Sequence, residues 1–305
     1  MTNSSVRAQF VAVRVPGEPA PHDTIAAKIH YPAAPTGSDS ERLTGVIPAD
    51  TKAGPLRVVI FIPGVNVGPE SYGWLATHMA ARGYAFVTYQ WIAEVMPGMV
   101  GITPGIDLEA CRPENYGSRP TATAVRPLLD ALAEVNEAPG PLQGALDLTR
   151  VALGGHSGGA TVAFHASDHR FFPEVKAVFG YAGHTVTSTM LGWEPNSLAP
   201  VPADCPVLLM GGTRDGVMAR SADRYGIDGH GEDPVTRTYK EAITDARRGP
   251  CEVVIFEGAN HFAIGYPEDP TVARGFLDLE PEVDPARTRS DIAARTSSFL
   301  ARHMR

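Results

Sequence analysis

The stretch that most constrains this chain runs Val151-Ala152-Leu153-Gly154-Gly155-His156-Ser157-Gly158-Gly159-Ala160. A short apolar run ends in G-x-S-x-G, and small residues lead on into Thr161-Val162-Ala163-Phe164-His165. The pattern is that of a strand, a sharp turn and a helix, with a serine at the apex. Glycine is needed at Gly155 and Gly159 because the backbone doubles back so tightly that a Cβ at either would strike the neighbouring element. The turn lifts Ser157 above the strand end. The helix behind it aims free N–H groups back to where an oxyanion would form. A bare G-x-S-x-G also arises by chance, as a glycine-rich turn with an incidental serine. Its place between strand and helix, and the partners described below, separate the two readings.

The 305 residues are 43% hydrophobic and 20% charged, enough to build one large α/β domain or two small ones around a sizeable core. A net charge of -8 without any basic run argues against a nucleic-acid surface. The first residues, Met1 to Arg7, lack the apolar core of a secretory signal, and no apolar stretch approaches the length of a membrane span. Cys111, Cys205 and Cys251 are too few and too scattered for a disulfide framework or a zinc site. Cys205 and Cys251 each open an expected strand, which leaves one bridge geometrically conceivable, but reduced thiols in a cytoplasmic protein are the default.

Along the chain, residues 8–15 and 24–31 alternate partly around Pro16-Gly17-Glu18-Pro19 and predict an antiparallel pair at a sheet edge. A polar loop is expected over 32–55. Buried strands are expected at 56–62, 84–89, 150–154, 175–181, 205–210 and 251–256, and helices at 69–82, 121–136 and 286–303. Three segments, 92–120, 183–203 and 226–250, read as long loops that shape a substrate pocket. Strands alternate with helices through the centre, and most central strands are solid apolar runs. The expectation is a single α/β domain over 1–305, with a mainly parallel sheet covered by helices on both faces and long loops over its C-terminal edge.

A serine hydroxyl is a weak nucleophile at neutral pH and needs an adjacent base. Of ten histidines, two stand out by position. His156 immediately precedes the serine, so its side chain should point away from Oγ. His261 follows the last strand at the same sheet edge as Ser157, where sites form in open α/β sheets. An imidazole base needs a carboxylate on its other nitrogen to set its tautomer. Asp215 lies just past the preceding strand, and the order Ser157, Asp215, His261 is the one expected of the nucleophile-elbow fold. The end of strand 175–181 offers no acid, and Asp228, Asp233 and Asp245 are weaker candidates in a later polar segment. The alternative for His261 is a loop histidine capping the strand end, and for Asp215 a turn residue beside a glycine. The oxyanion needs two backbone donors, expected from Gly158 and from Val65, just after Pro63-Gly64.

With these residues the chain resembles an α/β-hydrolase, and within that superfamily the dienelactone-hydrolase, chlorophyllase and bacterial polyester-hydrolase (cutinase-like) group. The resemblance covers about residues 56–263. It rests on Ile62-Pro63-Gly64-Val65, Leu75-Ala76 with Arg82-Gly83-Tyr84-Ala85-Phe86-Val87, Gly155-His156-Ser157-Gly158-Gly159, Gly212 to Asp215 and His261-Phe262. It implies a serine hydrolase of esters, with Val65 and Gly158 as the oxyanion pair. The chain departs from the group in lacking the export signal of secreted polyester hydrolases and in segments 92–120 and 226–250, which match nothing in it. Gly158 stands where relatives often carry a larger residue, which would open the pocket.

Aromatic and apolar residues near the expected active edge (Trp91, Ile92, Met96, Met99, Trp193 and Phe262) suggest an apolar acyl or alcohol pocket. The alternative for each is burial within its own loop. Glu94 is a candidate contact for a polar or cationic substrate group, and Asn66 for an additional donor near the oxyanion. Metal-ligand spacings, dinucleotide fingerprints and phosphate loops are absent from the sequence, so no cofactor is expected. The sequence therefore predicts a hydrolase of a small-molecule carboxylic ester, a lactone included, working through an acyl-enzyme. Ser157 attacks, His261 moves the proton, and Asp215 orients the histidine. The same triad would also serve an amidase, an acyltransferase or a cyclase, and a non-catalytic ligand-binding fold is the remaining alternative.

Overall fold

The computed structural model describes residues 5–226, 232–243, 250–272 and 274–305. The N-terminal edge pair forms as two strands, β1 (Ser5–Arg14) and β2 (Thr24–Ala33), antiparallel in register from Ser5–Ala33 to Arg14–Thr24. The polar stretch after them carries one short helix, α1 (Asp39–Thr44), which Ser38 caps by accepting the Glu41 N–H.

The apolar run 56–62 becomes β3 (Leu56–Ile62), whose residues from Val58 to Ile62 are at most 1% exposed. Burial of successive residues means that both faces of the strand are covered, as parallel strands require. A 3-10 turn (Pro69–Tyr72) then leads into α2 (Gly73–Ala80), where the sequence pattern predicted one helix over 69–82. Tyr72 leaves helical geometry at φ -108° and ψ 3°, and this splits the element.

Strand β4 (Tyr84–Met96) runs seven residues past the predicted end and turns into β5 (Met99–Ile102). The extension alternates, with Trp91, Ala93 and Val95 buried and Ile92 and Glu94 exposed. This is the period of a strand with one wet face. Pro97-Gly98, within the segment 92–120 expected to be a loop, is instead the turn of a hairpin, with Gly98 at φ 78°. Helix α3 (Val125–Glu137) buries Val125, Leu128, Leu129 and Leu132, spaced as one helical face.

The later strands are β6 (Leu146–His156), β7 (Val175–Tyr181), β8 (Val207–Gly212) and β9 (Cys251–Phe256). The helices among and after them are α4 (Gly158–His165), α5 (Gly216–Ala219), α6 (Ala222–Tyr225), α7 (Pro234–Arg237) and α8 (Pro285–His303). Of segment 226–250, the described part holds α7 and a π-helical turn, Thr238–Ala242; residues 227–231 and 244–249, with Asp228 and Asp245, lie outside the described residues.

Among the described residues nine strands form one sheet in the order β1-β2-β4-β3-β6-β7-β8-β9, with β5 paired to β4. From β4 through β9 the neighbours along this path are parallel, and only the β1, β2 and β5 pairings are antiparallel. The parallel strands therefore end at one edge. The segments after β3, β6, β8 and β9 carry Val65, Ser157, Asp215 and His261 to that edge.

Candidate active site

Strand β6 hands the chain to α4 through a single residue. Ser157 has φ 54° and ψ -126°, a conformation that costs a non-glycine residue energy and survives where the surroundings enforce it. The surroundings here are specific. Its N–H donates to the Tyr181 carbonyl at 2.9 Å. A Cβ at Gly155 would lie 2.4 Å from the Gly159 carbonyl carbon, and one at Gly159 would lie 2.3 Å from the Ile62 carbonyl oxygen. Both obstacles are backbone, so neither glycine admits a side chain.

His261 reaches the serine from the loop after β9. Its Nε2 is 3.0 Å from Ser157 Oγ, and its Nδ1 is 2.7 Å from Asp215 Oδ2. The carboxylate can only accept, so Nδ1 carries a proton and Nε2 offers its lone pair to the serine hydroxyl. Asp215 is buried, and its other oxygen accepts the Met218 N–H at 2.8 Å, capping α5. Burial alone would push its pKa up. The charge and hydrogen bond of His261 and the Met218 amide outweigh that and hold it below the usual carboxylate value.

A second carboxylate, which the sequence reading missed, binds these loops together. Asp278 Oδ1 accepts the N–H groups of Gly216 at 3.0 Å, His261 at 3.2 Å and Leu279 at 3.0 Å, while Oδ2 accepts Phe262 N–H at 3.1 Å. The acid loop and the histidine loop thus share one acceptor. Nothing local in Leu277-Asp278-Leu279 signals this, because the partners lie 62 and 17 positions away.

His156 is fully occupied elsewhere. Its Nδ1 is 2.9 Å from the Tyr72 hydroxyl and its Nε2 is 3.0 Å from the His261 carbonyl. Burial, then the neighbouring His261, pull its pKa down to about 3. It points away from Oγ, as its position before the serine requires.

Val65 and Gly158 stand beside the serine, and among the described residues no acceptor takes either backbone N–H. A Cβ at Gly158 would meet Val65 Cγ2 at 3.4 Å and Pro104 Cγ at 4.0 Å, both ordinary contacts, so this glycine leaves space that sterics do not demand. The serine opens on a cavity of about 300 Å³ whose walls include Val95, Pro104, Ile106, Leu108, Leu191 and Trp193. Arg224 and Arg274 also line it, and among the described residues no aspartate or glutamate does. Arg274 donates to Ser221 Oγ at 2.7 Å, and burial followed by the charge of Arg224 lowers its pKa from the ordinary guanidinium value.

Of the expected pocket residues, Trp193 is at the cavity, with its indole N–H bound to the Cys111 carbonyl at 2.8 Å. The others do other work. Trp91 is buried on β4 and donates to the His22 carbonyl at 2.7 Å. Glu94 is exposed and accepts the Gly98 N–H at 2.6 Å, closing the hairpin. Asn66, at φ 57°, exchanges bonds with Ile102 through its N–H and its Oδ1, so it anchors β5, and it does not line the cavity. Phe262 packs edge-on to His156 and His261 and does not line the cavity. Ile92, Met96 and Met99 sit on the hairpin and do not line the cavity. Asp233 caps α7 by accepting the Thr236 N–H. Cys205 is a free, buried thiol, and burial first pushes its pKa up to about 12. No group of three or more histidine, cysteine, aspartate or glutamate side chains among the described residues is arranged to hold a metal. Likewise, no helix among them is long and apolar enough to cross a membrane.

Neither a family model nor a curated protein matches this chain in sequence. Solved structures do match it over its whole length. A ferulic acid esterase from Streptomyces cinnamoneus superposes with a TM-score of 0.58 at 18% identity, covering 99% of this chain and 91% of that one. A dienelactone hydrolase from Anabaena variabilis gives 0.51 at 16% identity, covering 98% and 99%. The strand order, the parallel sheet and these likenesses define the α/β-hydrolase fold.

Proposed function

We propose that the protein is a carboxylic ester hydrolase, lactones included, that works through an acyl-enzyme on Ser157. The observation that carries this reading is the unbroken line Ser157 Oγ–His261 Nε2, His261 Nδ1–Asp215 Oδ2, at 3.0 and 2.7 Å, on the wall of a cavity. His261 takes the hydroxyl proton as Oγ attacks the ester carbonyl, then returns it to the leaving alcohol. Asp215 holds the imidazole in the required tautomer and stabilises the imidazolium. The N–H groups of Val65 and Gly158 receive the oxyanion, each such donor being worth roughly 10²–10³ in rate. Water then resolves the acyl-enzyme by the same steps in reverse. The structurally similar proteins include an esterase and a dienelactone hydrolase, which supports ester and lactone chemistry over other uses of the fold. The largely apolar walls fit the body of a small or medium ester.

The test is release of p-nitrophenol from acetyl, butyryl and octanoyl esters, together with labelling by a fluorophosphonate. Wild-type protein should turn over at least one ester and take up the label at Ser157, and Ser157→Ala should do neither. Wild-type protein that shows neither turnover nor labelling overturns the proposal.

A further inference from the structure

The residue before the serine is set in a chain of hydrogen bonds that the mechanism above does not use. The Gly64 N–H lies 3.1 Å from the Tyr72 hydroxyl oxygen, which lies 2.9 Å from His156 Nδ1. His156 Nε2 lies 3.0 Å from the carbonyl oxygen of His261. Only one arrangement of protons satisfies all three contacts. The carbonyl can only accept, so Nε2 carries the proton. Nδ1 of the neutral ring is then an acceptor, Tyr72 Oη–H donates to it, and the hydroxyl oxygen accepts from Gly64. Both side chains are almost wholly buried, at 1% exposure each, where an unmatched polar group is costly.

The ends of this chain are informative. Gly64 adjoins Val65, the proposed oxyanion donor, and His261 is the proposed base. His156 is bonded covalently to Ser157. A Cβ at Gly64 would come within 3.0 Å of His156 Nδ1, so the oxyanion loop lies directly on the ring.

We infer that Tyr72 and His156 are positioning residues that hold the oxyanion loop and the backbone of His261 at fixed distances from Ser157. The inference rests on the ester-hydrolase reading of the site. Neither side chain touches substrate. Their effect is on how well the donor at Val65, the nucleophile and the base coincide, and a displacement of about 1 Å in such a constellation is worth on the order of 10² in rate.

Three variants test it on whichever p-nitrophenyl ester the wild-type protein turns over, with phosphonate labelling rates measured in parallel. Tyr72→Phe removes one hydroxyl and leaves the ring in place. His156→Leu removes both contacts, whereas His156→Gln keeps a donor for the His261 carbonyl and an acceptor for Tyr72. The expected result is a fall in kcat and in labelling rate of roughly 10- to 100-fold for Tyr72→Phe and more for His156→Leu. KM should stay within about twofold, and His156→Gln should recover most of the loss. Should Tyr72→Phe fail to fold, the contrast between His156→Gln and His156→Leu decides alone. A kcat unchanged in both Tyr72→Phe and His156→Leu, even with a lowered Tm, overturns the inference and leaves the pair with a purely structural role. An effect confined to KM overturns it too. Ser157→Ala measured alongside separates the two levels: if it keeps wild-type turnover, the hydrolase reading falls and takes this inference with it.

Discussion

His261 Nε2 stands 3.0 Å from Ser157 Oγ although 104 residues separate the two in the chain. The approach requires the β6 turn and the loop after β9 to end at one sheet edge, and it requires the imidazole to be held by its other nitrogen. That second requirement makes Asp215 testable. In Asp215→Asn the carboxylamide no longer enforces the proton on Nδ1, and kcat should fall by about 10⁴, against about 10⁶ for Ser157→Ala. The double variant should be no slower than Ser157→Ala, because the residues act as one unit. Steady-state kinetics on a single ester measures all three.

The two adjacent glycines of the turn should behave oppositely. Gly159→Ala places a methyl 2.3 Å from the Ile62 carbonyl oxygen, which belongs to the centre of the sheet and cannot move aside. Overpacking of this kind costs about 1–3 kcal/mol or more, so Tm should drop and activity with it. Gly158→Ala meets Val65 Cγ2 at 3.4 Å and Pro104 Cγ at 4.0 Å, both ordinary contacts, and keeps the backbone N–H. Its Tm should match wild type, and only the longest acyl chains should react more slowly. Thermal melts and an ester series on the two variants give the comparison.

The glycine-serine turn could be found in the sequence because its constraint is local. Three glycines and a serine within five residues, between a strand and a helix, leave few geometries. Asp215 and His261 were legible for a related reason: each directly follows an apolar run that must end at the active edge. The loop residues were less so. Trp91 and Glu94 belong to an alternating strand, but Pro97-Gly98 has the same letters in a hairpin turn as in an open loop. Tyr72, Asp278, Arg224 and Arg274 were not legible at all. Their roles depend on partners that the fold, not the sequence spacing, brings near.

Three buried histidines, and a half-buried fourth, His165, whose ring nitrogens are both buried, should set the acid limit of the fold. Burial pulls His30, His165 and His184 down to about 4 and His156 to about 3, from an ordinary 6.5. Above pH 6.5 these rings are neutral in both states and contribute no pH dependence. As pH falls below 6.5 the unfolded chain takes up protons that the folded one refuses, so stability is lost until the folded values are reached. Each ring removes about 1.4 kcal/mol per pH unit across that window. Asp215, held below the usual carboxylate value, adds its loss only at lower pH, whereas Asp278, raised by burial, takes up its proton in the folded state first and offsets part of the histidine loss. Urea denaturation at pH 7, 6 and 5 should show the decline. In His165→Phe the slope between pH 6 and 5 should be shallower by about 1.4 kcal/mol per unit, whatever its stability at pH 7. An unchanged slope would show that His165 protonates freely in the folded state.

The cavity is cationic in an acidic protein. The chain carries a net charge of -8, yet Arg224 and Arg274 line the wall beside Ser157 and, among the described residues, no carboxylate does. Arg274 is partly buried and bound to a neutral hydroxyl, Ser221 Oγ, and its lowered pKa reflects first the cost of its own burial and then the charge of Arg224, which is itself exposed. An anionic group in the cavity would relieve that cost, and guanidinium pairs suit carboxylates, which they bind through paired hydrogen bonds. Of two esters alike in size, one ending in a free carboxylate and one in a methyl group, the carboxylate should therefore have the lower KM. Arg274→Gln should raise KM for the acid several-fold and leave the neutral ester within twofold. Raising ionic strength should narrow the gap in the wild-type protein, since one side of the cavity is open to solvent. Equal KM values for the two esters in wild type would mean that the arginines face each other for structural reasons and take no part in choosing the substrate.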